Sequence, residues 1–346
     1  MVDRAQDARR DPDALIFFGC LPGSPSGRPR LAASYTSLMM DVLLGIVDRG
    51  WVAESHHRGR ISVVREDGRV LLSLGDMTVP TLPRSALKPF QAIAMLRSGL
   101  DLENQLLALA AASHLGQSIH TEGALRILEM TGLSTSDFQH TADLPGDAAS
   151  LAAWLAAGRR KEPLAHNCSG KHAAMLRTCR LAGWPTEGYR DPSHPLQQAI
   201  RAVIEEYCGV LGDPVVDGCT APAFATTLPG LARGFARLAS EKKGPGRLVA
   251  DAFRRYPEYT SGTSHPVVRL VEQVPGAVAK VGAEGILAVG LPEGIGIAVK
   301  ISDGMGRGRF EVVDAILTRL GHPVISGPGE VRISPELEEN LASLNG

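Results

Sequence analysis

No run of apolar residues in this chain approaches the ~20 needed to span a bilayer. The longest early candidate, residues 14–21, is short and follows a charged, acid-containing stretch, unlike a secretory leader. Cysteine is sparse: Cys20, Cys168, Cys179, Cys208 and Cys219 are the five in 346 residues. So few, and an odd number, make no disulfide framework and favour a reducing compartment. An excess of one charge is missing too. Lys plus Arg number 36 and Asp plus Glu 37, a net charge of −1, so no broad nucleic-acid or membrane-surface footprint is expected. There is no internal repeat. Hydrophobic residues at 44% and charged residues at 21% exclude a collagen-like or wholly disordered chain. What remains is a cytoplasmic protein of one large or two small domains.

Residues 1–37 are rich in Arg, Asp, Pro, Gly and Ser without periodicity and read as a loose extension, with Met39 and Met40 as alternative starts. Residues 38–346 read as one folded domain. A strand is expected at 52–58, then a hairpin of 61–65 and 70–75 turning on Asp67-Gly68. A middle dense in Ala and Leu at helical spacing follows, with helices at 86–98, 102–112, 121–130, 148–157, 171–182, 194–207, 224–239 and 247–255. Strands return at 276–281, 285–291 and 295–301. Helices at 312–320 and 335–344 close the chain. Strands at both ends around a helical middle predict an α+β fold, whose antiparallel sheet joins distant parts of the chain.

Four constellations can carry chemistry. Ser85 and Lys88 lie three apart at a helix start, so a neutral Lys88 amine can take the Ser85 proton; a plain Ser cap is the competing account. Ser113, after an Ala/Leu helix, is a second hydroxyl or simply part of a turn ending at Gly116. Lys280 lies near the end of a β-type run and precedes small residues, Gly282 among them. Such a stretch lets a substrate approach the backbone, or it is a strand turn with a solvated Lys. Taken together, an early S-x-x-K, a middle Ser and a late K-x-G follow the chain order of serine β-lactamases and penicillin-binding proteins, though the middle S-D-N triplet is absent. The fourth is His166-Asn-Cys168-Ser-Gly-Lys171-His172 with Asp217-Gly-Cys219. Two thiolates and a nitrogen ligand suit zinc; two buried apolar cysteines are the alternative. Cys179 and Cys208 sit in helical patterns and read as core.

The stretches PRSALKPFQA (83–92), AASHLGQ (111–117), HNCSGKHAAML (166–176), HPLQ (194–197), DGCTAPAFA (217–225) and AKVGAEG (279–285) resemble the Rhizobium-type L-asparaginases, the asparaginase II family. The resemblance covers roughly residues 46–300. It implies a fold like that of serine β-lactamases and glutaminases, a homodimer, and hydrolysis of L-asparagine to L-aspartate and ammonia. The family's two Ser–Lys tandems fall on Ser85 with Lys88 and on Ser113 with Lys280. Its metal site falls on Cys168, Lys171 and Cys219, with zinc the expected ion. Arg84 and Asp217 match family residues beside these sites, and Arg84, His114, Asp217, Gly282 and Glu284 are the residues expected to bind substrate. The chain departs from the family where A-S-H-S-G-E becomes Ala112-Ser-His-Leu115-Gly-Gln117, and 261–266 lacks a common Arg-Asp pair. The leading expectation is an L-asparaginase. A related small-amide amidase or glutaminase is the enzyme rival. A metal- or amino-acid-binding protein on the same scaffold is the non-enzyme rival.

Overall fold

Alternation of large and small side chains along two strands sets the architecture. In β7 (Ile286–Leu291) and β8 (Ile295–Ile301), Leu287, Val289, Leu291, Ile295, Ile297, Val299 and Ile301 enter one hydrophobic core. Ala288 and Ala298 point to the other face, into a second core. Successive strand residues face opposite ways, so one sheet is covered on both sides. The large-residue face packs on helices Pro266–Gln273, Arg309–Arg319 and Pro335–Leu341. The small-residue face receives helix Leu228–Ser240 and, beyond it, the helical middle.

The computed structural model describes residues 40–323 and 329–344. The expected loose extension at 1–37, and Cys20 within it, lie outside the described residues. The seven-stranded sheet is antiparallel throughout, in the order β6 (Val278–Gly282), β7, β8, β2 (Val52–Arg65), β1 (Val42–Arg49), β9 (Val331–Ile333), with β3 (Val70–Leu74) also on β2. β2 pairs through residues 52–59 with β1 and through 59–65 with β8, so it is the seam between the two ends of the chain. The α+β expectation holds, and so does the hairpin, whose Gly68 takes a φ of 93°. Among the described residues, no helix is long and apolar enough to cross a membrane.

Several boundaries differ from expectation. The helix expected from residue 224 begins at Leu228, and Phe224 belongs to β5 (Pro222–Ala225), which pairs with β4 (Leu211–Val216) in a separate two-stranded sheet. Thr227 starts the helix by accepting from the Gly230 N–H, and Pro229 occupies its first turn. β1, β9 and helices Pro257–Thr260 and Pro266–Gln273 were not foreseen. The last of these has Pro266 in its first turn and the His265 ring accepting from the Val267 N–H, a cap made by histidine rather than by the usual Ser, Thr, Asp or Asn.

Close approach of helix Leu228–Ser240 to the sheet depends on two glycines. A Cβ at Gly296 would lie 1.8 Å from the Ala232 carbonyl oxygen, and one at Gly290 would lie 2.0 Å from that of Phe235. Backbone cannot yield as a flexible side chain does, so Gly296→Ala forces the helix off the sheet. Overpacking of this kind costs about 1–3 kcal/mol. Urea unfolding should show that loss as a lower midpoint with an unchanged slope.

Candidate active site

A cavity of about 710 Å³ opens between the helical middle and the end of β6, and Ser85, Ser113, Asp217, Cys168, Cys219 and Glu284 are on its walls. Ser85 sits in a 3-10 turn, Arg84–Leu87, that runs straight into helix Lys88–Arg97. The turn is pressed against β6. A Cβ at Gly282 would lie 2.1 Å from the Pro83 carbonyl oxygen, so only glycine lets the strand end lie beside Ser85. Arg84 has a φ of 53°, a left-handed conformation costing roughly 1–3 kcal/mol for a non-glycine residue. Its guanidinium is held by an ion pair with Asp217 at 2.5 Å. Burial raises the Asp217 carboxyl, but Arg84 and Lys171 together hold it below the usual carboxylate value.

Two lysines are buried against the cavity lining. Lys88 is 1% exposed, and its Nζ donates to the Ala112 carbonyl at 2.6 Å and lies 3.0 Å from Cys168 Sγ. Lys280, on β6, is fully buried and its Nζ donates to the Val281 carbonyl at 3.3 Å. Burial, reinforced by the nearby charge of Lys88, pushes the Lys280 amine well below the ordinary lysine value. Among the described residues, no hydrogen bond joins Ser85 to Lys88 or Ser113 to Lys280. The serines line the cavity, and the buried amines contact residues that line it, Lys88 at Cys168 and Lys280 at Val281.

His114 follows Ser113 in the cavity lining and is 2% exposed. Its Nδ1 accepts from the Gly116 N–H at 3.1 Å, leaving Nε2 to donate to Ser169 Oγ at 3.0 Å. Burial, with His120 and Lys88 adding to it, keeps the ring neutral. Both nitrogens are thus spent on holding the wall. Glu284 has a φ of 61° and reaches toward Gly304, where a Cβ would lie 2.4 Å from its Oε2.

The expected metal ligands converge. Cys168 caps helix Ser169–Leu181, Lys171 is in its first turn, and Lys171 Nζ donates to Cys219 Sγ at 3.1 Å. Cys219, Lys88 and Lys171 close by hold Cys168 well below the ordinary thiol value against the effect of burial, while Cys168 and burial push Cys219 up. Burial opposes the Lys171 charge, but Cys219, Cys168 and Asp217 outweigh it and raise its pKa. Among the described residues, no three His, Cys, Asp or Glu side chains are grouped to hold a metal. A metal here therefore needs Lys171 as its third ligand. Two sulfurs and an amine in mutual contact fit zinc, provided binding expels the protons they carry. The two histidines weighed as ordinary ligands are engaged elsewhere. His166 Nδ1 accepts from the Cys168 N–H at 3.0 Å, and His172 Nδ1 lies 2.8 Å from the Tyr189 hydroxyl.

Sequence reasoning marked Leu115 only as a departure from the family pattern, and missed Leu144, Pro145 and Leu151 beside it on the apolar side of the cavity and the far wall with Asp303, Met305 and Arg309. Arg309 is 2% exposed, and only its burial marks it out. Gln117, at the second departure from the family pattern, ties the wall to the 261–263 segment. It donates to Thr263 Oγ1 at 2.9 Å and accepts from the Thr263 N–H at 3.0 Å.

A family model described as L-asparaginase II matches residues 46–330. No curated protein sequence matches the chain significantly. Solved structures similar to it include a β-lactamase from Mycobacterium bovis, at 16% identity over 75% of this chain and 94% of that one, with a TM-score of 0.42. A Bacillus glutaminase matches at 15% identity over 72% and 85%, with a TM-score of 0.34. Mglu, in its tris and glutamate form, matches at 16% identity over 78% of this chain, with a TM-score of 0.35; the chain spans 62% of the length of Mglu.

Proposed function

The chain belongs to the L-asparaginase II family, and from that premise we propose that it is an amidohydrolase converting L-asparagine to L-aspartate and ammonia through its Ser–Lys pairs. The observation that carries this reading is one cavity walled by Ser85 and Ser113, with two buried lysines touching its lining and the Lys280 amine pushed well below the ordinary lysine value by burial. Ser85 Oγ attacks the side-chain amide carbon and Lys88 takes its proton. The C–N bond breaks as Ser113, served by Lys280, passes a proton to the departing nitrogen. Water then cleaves the acyl-Ser ester, restoring Ser85 and releasing the carboxylate. Arg84, Asp217, Glu284 and the backbone at Gly282 are the groups proposed to hold the substrate. The reading extends to one catalytic domain over residues 38–346 and to a cytoplasmic homodimer, whose mass light scattering would check. Ammonia release from asparagine, glutamine and short β-aspartyl amides tests the activity. Preference for glutamine would favour the glutaminase rival, and tight asparagine binding without ammonia would favour a sensing protein.

Cys168, Lys171 and Cys219 would hold zinc. When bound, the ion would supply positive charge that orients the substrate's charged end and fixes the loops around it. The chain's own serines and lysines supply nucleophile and base, so chelation should raise KM more than it lowers kcat. Elemental analysis should find about one zinc per chain in the wild type and a loss in Cys168→Ser. Collapse of kcat at saturating substrate on chelation would instead indicate a metal-activated water.

A further inference from the structure

Three backbone hydrogen bonds decide which way the wall beside Ser113 faces. The Ser113 N–H donates to the Thr260 carbonyl at 3.0 Å and the Leu115 N–H to that of Ser261 at 2.8 Å, while the His114 N–H between them donates to Asn167 at 3.0 Å. N–H groups that alternate in this way mark an extended chain, and in an extended chain side chains two apart share a face. Ser113 and Leu115 therefore stand side by side on the cavity wall. His114 between them is 2% exposed, with its ring tied to Ser169 and Gly116.

The Leu115 side chain is fixed there. A Cβ at Gly262 would lie 2.8 Å from its Cδ1, and one at Gly146 would lie 3.4 Å from its Cδ2. The Asp147 N–H donates to the Leu115 carbonyl at 2.9 Å, which lays the 144–147 segment alongside. Leu144 and Pro145 thus extend the apolar surface, and Leu151 follows one turn into helix Ala148–Ala156. One side of the space next to the second hydroxyl is apolar, while Asp143, Lys161 and Asn167 line other parts of the cavity. The cavity of about 710 Å³ is also far larger than free asparagine fills, within the range of roughly 300–1,000 Å³ that holds drug-sized ligands.

We propose that Leu115, with Leu144 and Leu151, selects amides whose nitrogen carries an apolar substituent, so that the leaving group is an apolar primary amine. This rests on the amidohydrolase reading, in which Ser113 protonates the departing nitrogen. The substituent on that nitrogen then lies against the side chain beside Ser113. The balance is that of the simple amide: the Ser85 Oγ–carbon bond forms, the C–N bond breaks, the nitrogen gains a proton and leaves as R–NH2, and water completes the cleavage. Ammonia has no apolar surface to place on this wall. A fitted apolar group is worth about 10–200-fold in kcat/KM at such a site.

The test compares L-asparagine with N4-isobutyl-L-asparagine, following ammonia and isobutylamine. The wild type should favour the isobutyl amide by about tenfold or more in kcat/KM. Leu115→Ser should lower that ratio by about the same factor, and the volume-conserving Leu115→Met should keep most of it. Because both substrates are measured on one preparation, partial misfolding of a variant cancels from the ratio. Cleavage of asparagine without preference for the isobutyl amide, or a ratio that Leu115→Ser leaves unchanged, overturns the inference and leaves the amidohydrolase reading standing. A wild-type chain that melts cooperatively and cleaves neither amide overturns that reading, and the inference falls with it.

Discussion

Ser85→Ala is expected to lower kcat/KM by about 10³-fold or more, the scale of other serine-nucleophile knockouts, with the fold intact. The residue is half-buried at the cavity wall, and among the described residues its hydroxyl makes no hydrogen bond, so deleting it leaves no buried partner unsatisfied. The turn that carries it is held by the Arg84–Asp217 ion pair and by the contact of Gly282 with Pro83, neither of which the substitution touches. Thermal unfolding should therefore match the wild type within a degree or two while turnover disappears. Activity within tenfold of wild type would move the nucleophile to Ser113. The Ser113→Ala variant, assayed alongside, decides between the two.

Lys280→Met is expected to reduce kcat by about 10²–10⁴-fold, the usual contribution of a positioned general base, while the protein becomes no less stable. Burial and the neighbouring Lys88 charge depress the Lys280 amine, so the folded state disfavours its proton. The unfolded chain binds that proton at the ordinary lysine value. Stability from this group is therefore full above the unfolded pKa and falls as pH drops toward the depressed folded value. Met removes that penalty and keeps the side chain's bulk. Lys280→Arg should lose both activity and stability, because a guanidinium stays charged in a fully buried position. In the wild type the neutral amine persists below the ordinary lysine range, so kcat should fall only as pH drops through the depressed value. A Met variant with normal turnover would assign Lys280 to packing alone.

The parts of the fold that could be read from sequence are those governed by local rules. The Asp67-Gly68 hairpin and the helices at Lys88–Arg97 and Ser169–Leu181 follow from turn chemistry and short-range periodicity. β5 was missed because Phe224-Ala-Thr-Thr-Leu228 is apolar enough to continue a helix. Thr226 pairing with Thr81, far away in the chain, breaks that continuity. β9 is three residues long and is a strand only because Val47, Ile46 and Gly45 lie beside it.

The chemistry divides in the same way. The sequence by itself determined which functional groups exist: two serines, three lysines and two cysteines in motifs at short spacing, and the family they belong to. Only the tertiary structure decided what each group is. Lys280 had a solvated strand-end lysine as its bland reading and is a fully buried amine whose pKa burial depresses. Lys88 was paired by spacing with Ser85, yet its amine contacts Ala112 and Cys168, which ties it to the thiol site. Leu115 was a departure from a pattern and became a wall. A side chain's charge state and the face it presents depend on desolvation and on the backbone beside it. At these residues the neighbours come from segments far apart in the chain, and no local spacing records which of them will be brought together.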